Sequence, residues 1–236
     1  MNYFIAGTDT GAGKTAVTAG LLAAWRSRGR RVAGMKPVAA GIDAVGRNED
    51  VDALAAASTP GLPAAALNPY LFPAPTSPHV AARLAGARID VALLDAAYAT
   101  LAAATDQLLV EGAGGWRVPL TDAVLMSDLA RRWQLPVVLV AGIRLGAINH
   151  TLLTVEAIAR DGCRLRGWIA NVVDPVYAYA DATIDTLIAR IEAPCLVRLP
   201  FVPGLRSAGL AERLTDVASA LEDPATLPDR STRTAF

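Results

Sequence analysis

A lysine between glycine and threonine closes the run Gly7-Thr8-Asp9-Thr10-Gly11-Ala12-Gly13-Lys14-Thr15. Such a run suits phosphate. Glycines lack the Cβ that keeps backbone N–H groups away from an anion. A helix starting at the lysine adds partial positive charge at its N-terminus. Lys14 can reach the β- and γ-phosphates of a nucleotide, and the Thr15 hydroxyl can ligate Mg²⁺. The spacing departs from the usual G-x-x-x-x-G-K-[ST]: Thr8 takes the place of the first glycine, and Gly7 lies one residue further out. The loop is therefore expected to be longer than the standard one. An apolar segment enters it and a helix-forming segment leaves it, the context that a phosphate loop requires.

A metal at the phosphates needs hard oxygen ligands, commonly one or two carboxylates. Glu111 follows Leu108-Leu109-Val110. A carboxylate ending a buried strand is costly unless it points into a polar cleft. In a parallel sheet that cleft lies at the carboxyl ends of the strands, which puts Glu111 beside the phosphate loop like a Walker B acid. Asp52 opens a helix after Arg47-Asn48-Glu49-Asp50. Helix capping explains it as well as metal ligation does, and Asp50 rivals it for either job. Lys36 ends a second apolar run and precedes Pro37. A second lysine at the cleft asks for a substrate with more negative charge than ATP alone. His79 and His150 have no nucleophile partner, so neither is assigned to catalysis. Cys163 and Cys195 form no CxxC or Cys/His cluster, which argues against zinc. Both read as small buried apolar residues in a reducing compartment.

These groups must be held by elements. Apolar runs over residues 3–6, 31–35, 107–111, 136–141, 167–172 and 195–199 read as strands. Amphipathic segments over 15–28, 50–57, 77–84, 90–104, 126–134, 149–161 and 181–191 read as helices. Residues 58–78 hold many of the prolines and read as a shaped loop. Strands of continuous apolar character, each followed by a helix, predict a mostly parallel sheet with helices on both faces. The expected class is α/β, a P-loop NTPase-like fold in a single domain over residues 1–236, with about 222–236 a frayed tail. The 236 residues carry 22 basic and 22 acidic side chains, so the formal net charge is zero. That balance argues against a general nucleic-acid binder. With 53% hydrophobic and 19% charged residues, the chain is not a disordered one. The longest apolar run, 135–143, is about half a membrane span, and residues 1–10 lack the basic start of a signal peptide. A soluble, cytoplasmic protein is expected.

The phosphate loop, with its longer spacing, resembles that of the dethiobiotin synthetases. Lys36-Pro37-Val38, Asn68-Pro69-Tyr70, Pro75-Thr76-Ser77-Pro78-His79, Val110-Glu111-Gly112-Ala113-Gly114-Gly115-Trp116 and Leu145-Gly146-x-Ile148-Asn149-His150 match that family too. The motifs span roughly residues 1 to 205 in the family's order. The resemblance implies an ATP- and Mg²⁺-dependent ligase of biotin synthesis. It would carboxylate 7,8-diaminopelargonic acid with CO₂ from bicarbonate and close the ureido ring through a carbamate and a carbamic–phosphoric anhydride. By family position, Thr15, Asp52 and Glu111 would ligate the metal, which assigns the role to Asp52 over Asp50. Lys14, Lys36 and Thr10 would be catalytic. Gly11, Ala12, Gly13, Ala16, Gly112, Ala113 and Gly114 would surround the nucleotide. Asn171 would bind adenine between Pro200, Phe201 and Val202. Thr10, Lys36, Ala40, Pro75 and Thr76 would line the diamine site. The resemblance also implies a homodimer, with Leu145, Gly146, Ala147, Ile148 and Asn149 of the neighbouring subunit holding the substrate carboxylate at a helix N-terminus.

Two positions depart from many relatives. Gly11 replaces a glutamate, and Ala40 replaces a serine or threonine. Losing one hydroxyl bond at position 40 is expected to cost about 0.5–1.5 kcal/mol, altering affinity rather than abolishing activity. Two other readings share the scaffold. An amidating ligase of the cobyric acid type would carry a glutaminase cysteine, whose context neither Cys163 nor Cys195 has. A ParA/MinD-like switch would carry a lysine near the first loop glycine, where this chain has Thr8-Asp9-Thr10.

Overall fold

The structure, a computed structural model, describes residues 1–202 and 207–223. The chain runs β1 (Tyr3–Gly7), α1 (Lys14–Arg26), β2 (Val32–Met35), β3 (Val38–Ala40), α2 (Glu49–Ala57), α3 (Ala64–Leu67), β4 (Tyr70–Phe72), α4 (Pro78–Leu84), α5 (Val91–Ala104) and β5 (Gln107–Glu111). It continues through α6 (Met126–Arg132), β6 (Val137–Ile143), α7 (Ala147–Arg160), β7 (Leu165–Val172), α8 (Ala180–Arg190), β8 (Cys195–Leu199), α9 (Ser207–Arg213) and α10 (Thr215–Glu222).

Six strands form one parallel sheet in the order β2-β5-β1-β6-β7-β8. The order reverses about β1, so the loops leaving β1 and its neighbours open a crevice at the carboxyl edge. Alternation along β1 explains the two-sided core. Tyr3 and Ile5 join Leu21, Trp25, Leu214 and Leu221 on one face, and Phe4 and Ala6 join Leu94, Leu101, Leu108 and Met126 on the other. Burial on both faces is why the central strands β1 and β6 carry no charged side chain.

Register decides which residues meet at the edge. Ile5 pairs with Glu111, and Met35 pairs with Val110. Lys36, one residue past Met35, therefore stands beside Glu111. Asn171 pairs with Gly142 and with Leu199, which brings the ends of β6, β7 and β8 to the same rim.

The structure departs from the sequence reading in several places. Residues 58–78 hold α3 and β4, and β4 pairs in parallel with β3 through Val38–Tyr70 and Ala40–Phe72. Helix α7 starts at Ala147, two residues before the expected start, because Gly146 (φ 89°) takes the left-handed conformation that ends the preceding loop. Helices α9 and α10 went unread. They pack on α1, whose Trp25 Nε1 donates to the Ala218 carbonyl at 3.1 Å, while Tyr3 of β1 donates to the Leu221 carbonyl at 2.6 Å. Glu222, assigned to the tail, ends α10 and pairs with Arg30 at 2.9 Å. The rest of that tail, 224–236, lies outside the described residues. Cys163 and Cys195 are half-buried rather than buried. Among the described residues, no helix is long and apolar enough to cross a membrane.

Candidate active site

The phosphate loop runs from the end of β1 into α1. Thr8 continues the sheet: its N–H donates to Val140, and its hydroxyl accepts from Gly142 N–H at 3.2 Å. This accounts for a threonine where a shorter loop would have glycine. Gly7 is needed for space, because a Cβ there would lie 2.8 Å from Lys14 Nζ. Gly13 precedes α1 at φ 90°, and a Cβ there would strike the Asn171 amide. The Lys14 ammonium donates to the carbonyls of Asp9 (3.1 Å) and Gly114 (2.6 Å), so it bridges the phosphate loop to the glycine turn after β5. Burial, reinforced by the nearby Lys36 charge, lowers the Lys14 pKa to about 8.

Beside Lys14 sits a compact ionic cluster. Lys36 is 4% exposed, with its ammonium 2.6 Å from Glu111 Oε1 and 2.9 Å from Asp50 Oδ2. Thr15 Oγ1 stands 2.7 Å from Asp50 Oδ1 and 2.8 Å from Glu111 Oε1. Burial works against the charged form of Lys36, but the two carboxylates outweigh it and hold its pKa above the ordinary lysine value. Burial likewise opposes Asp50 ionisation, and the Lys36 ammonium overcomes it, holding that pKa below the ordinary carboxylate value.

Asp52 is the main correction to the predicted site. Its carboxylate lies 2.8 Å from Arg47 on the exposed side of α2 and meets neither Thr15 nor Glu111. The acid in that place is Asp50. Two residues along a helix turn a side chain through about 200°, so Asp50 and Asp52 cannot share a target. A signal was present in the sequence: Asp50 is at i−4 and i−7 from Leu54 and Ala57, the buried residues of α2. Asn48, whose side chain accepts from Val51 N–H, does the capping.

The residues present fit a hard dication. Glu111 is fully buried, and its Oε2 has no hydrogen-bond partner, an orphan that needs a reason. Two carboxylates and a hydroxyl beside a phosphate loop are the donor set that Mg²⁺ takes together with phosphate and water.

Two cavities meet at the loop. The larger, about 720 Å³, is lined by Thr10, Lys14, Thr15, Lys36, Asp50 and Gly114, and beyond them by Ala40, Pro75, Thr76 and Ala113. The smaller, about 280 Å³, is lined by Asn171, Pro200, Phe201, Val202, Leu210 and Arg213. Gly11 and Ala16 line both. Gly11 takes φ +75° with open space where a Cβ would project. Ala12 is buried beneath the loop and accepts the Asn171 amide at 2.9 Å. Gly112 is fixed from below, where a Cβ would press on the Phe4 ring at 3.2 Å. Leu145, Gly146, Ala147, Ile148 and Asn149 line neither cavity, and Leu145 is 83% exposed. Sequence reasoning overlooked Asp9, whose carboxylate accepts Thr10 N–H and pairs with Arg144 at 2.8 Å. It also overlooked Leu210 and Arg213, which lie on α9.

A family model described as an AAA domain matches residues 1–208. An ATP-dependent dethiobiotin synthetase BioD from Aromatoleum aromaticum is 50% identical, the match covering 90% of this chain and 96% of the relative. Proteins of the same name from Pseudomonas paraeruginosa and Xanthomonas campestris are 48% and 46% identical, each match covering 90% of this chain and at least 95% of the relative. Solved structures share the fold at low identity. A ParA family ATPase from Chlorobium tepidum superposes with a TM-score of 0.59 at 12% identity, covering 93% of this chain and 98% of its own. A Mycobacterium smegmatis cobyrinic acid a,c-diamide synthase with bound ATP analog and magnesium gives 0.55 at 16%, covering 96% and 98%. At such identities the likeness speaks for the fold alone. These neighbours bear out the expected P-loop NTPase-like α/β class.

Proposed function

The chain belongs to the ATP-dependent dethiobiotin synthetases, and on that premise we propose that it builds the ureido ring of dethiobiotin from 7,8-diaminopelargonic acid, CO₂ and ATP. The observation that carries this reading is that two lysine ammonium groups, those of Lys14 and Lys36, line one cavity, which shares Gly11 and Ala16 with the smaller cavity beside it. A nucleotide hydrolase needs one such lysine. A second suits an acidic co-substrate brought up to the γ-phosphate.

In the reaction, one amine adds to CO₂ and loses a proton, giving a carbamate. A carbamate oxygen then attacks the γ-phosphorus and ADP leaves. The other amine attacks the carbamoyl carbon, closes the ring and expels phosphate. Loop N–H groups and Lys14 would hold the phosphates, and Lys36 would steady the carbamate and the migrating phosphoryl group. Thr15, Asp50 and Glu111 would hold Mg²⁺, which supplies charge neutralisation at the phosphates. Thr10 would contact the diamine or carbamate, with Ala40, Pro75 and Thr76 around it. Asn171 would bond adenine between Pro200, Phe201 and Val202. Residues 145–149 line neither of the two cavities at the loop, which supports their serving the substrate carboxylate of a second subunit in a homodimer. A cytoplasmic setting, where ATP and Mg²⁺ are supplied, completes the reading.

The test combines purified protein, ATP, Mg²⁺, ¹³C-bicarbonate and the diamine. The expected outcome is a cyclic urea carrying one ¹³C, with one phosphate released per ring. ATP turnover that ignores the diamine and responds only to an added protein or DNA would overturn it.

A further inference from the structure

Lys36 stands where the candidate metal ligands converge. Lys36 Nζ reaches Glu111 Oε1 and Asp50 Oδ2, and Thr15 Oγ1 reaches Glu111 Oε1 and Asp50 Oδ1. One ammonium and one hydroxyl thus bridge the same two carboxylates. The arrangement leaves bonds unmade. A threonine hydroxyl has a single proton and cannot donate to both acids at once, and Glu111 Oε2 has no partner. A dication at its ordinary distance of about 2.1 Å from these oxygens would crowd an ammonium that already sits within 3 Å of two of them.

We propose that Lys36 is a placeholder cation: it neutralises Asp50 and Glu111 while the nucleotide is absent, blocks binding of a free divalent cation, and is displaced toward the larger cavity when the metal arrives with the nucleotide. The inference rests on the reading above that Thr15, Asp50 and Glu111 are the metal ligands. Displacement has somewhere to go, because Lys36 already lines the cavity bordered by Thr10, Ala40 and Thr76. Burial favours the swap over simple loss of the lysine. Glu111 is fully buried, and an unpaired carboxylate there would be costly, so one cation must leave as the other enters. The same movement would bring the ammonium to the co-substrate only after the nucleotide is seated, giving Lys36 a positioning role in the order of binding.

The test is Mn²⁺ binding without nucleotide, followed by the electron spin resonance of the free ion, on the whole protein. Wild type is expected to bind weakly, and Lys36→Met at least about tenfold more tightly, since a competing charge beside two acids is gone. Lys36→Gln, which keeps a hydrogen bond to Glu111, serves if the methionine variant does not fold. Lys14→Met is expected to gain far less, because Lys14 bonds carbonyls rather than the two acids. Adding Glu111→Gln to Lys36→Met should erase the gain. Equal Mn²⁺ affinity in wild type and both position-36 variants would overturn the placeholder role, whereas unchanged Mn²⁺·ADP binding in Glu111→Gln alone would overturn the metal-site reading instead.

Discussion

Lys14 is a buried cation that has no carboxylate in hydrogen-bonding contact, and Lys36 is a buried cation that touches two. Burial and the Lys36 charge lower the Lys14 pKa to about 8, so in the free chain Lys14 is half neutral near that pH. A bound triphosphate favours the ammonium and draws the pKa back up. Nucleotide binding should therefore take up part of a proton at pH 8.5, and affinity should fall as pH rises above 8, while remaining insensitive to this group below about pH 7. Calorimetry in two buffers of different ionisation heat reads the uptake, and none at pH 8.5 would contradict the shift. The acids are separable in the same way. Asp50→Asn is expected to lower Mg²⁺-dependent turnover by about 10²–10³. Asp52→Asn loses only an exposed ion pair worth about 0.2–1 kcal/mol and should leave turnover near wild type. Steady-state rates across a magnesium titration decide between them, and the reverse order would restore Asp52. Residue types at the site were legible in the sequence, since a lysine among glycines and a glutamate after an apolar strand have few other uses. The choice between two acids two positions apart was legible only in helical phase, through the spacing of Asp50 to Leu54 and Ala57, and motif order does not carry that phase.

Among the elements, the parallel strands were the most legible, because strands buried on both faces read as unbroken apolar runs. The stretch 58–78 was not, since its prolines masked a three-residue strand whose partner, β3, is equally short. Helix α7 was read late at its start because a glycine, not a side-chain cap, opens it. Helices α9 and α10 carry a structural load that the site motifs never signalled. Leu221 is fully buried against the face of the sheet that α1 covers. Leu221→Ala is expected to cost about 2–5 kcal/mol, seen as a lower melting temperature, with KM for ATP unchanged because Leu221 lines neither cavity. A variant with wild-type stability would show that α10 contributes little to the fold.

At the scale of the whole molecule, residues 145–149, where α7 opens, line neither of the two cavities at the phosphate loop. In the proposed dimer, a substrate carboxylate held there for a second subunit would make each site a joint property of two chains. Mixing an inactive Lys14→Ala protein with an inactive Ala147→Asp protein should then restore about a quarter of normal activity, because half of randomly formed dimers carry one intact site. No recovery, together with an active monomer in sedimentation, would place the whole site within one chain. Nothing in the apolar pattern announced such sharing, since an exposed Leu145 reads the same whether it faces water or a partner.

The convergence of Lys14, Lys36 and a metal on one migrating phosphoryl group is tested most directly by a crystal structure with Mg²⁺, a non-hydrolysable ATP analogue and the diamine. Both lysine nitrogens should lie within hydrogen-bond distance, about 3 Å, of the terminal phosphate, with the metal on Thr15, Asp50 and Glu111. A Lys36 still paired with Glu111, or turned into bulk solvent away from that phosphate, would contradict it.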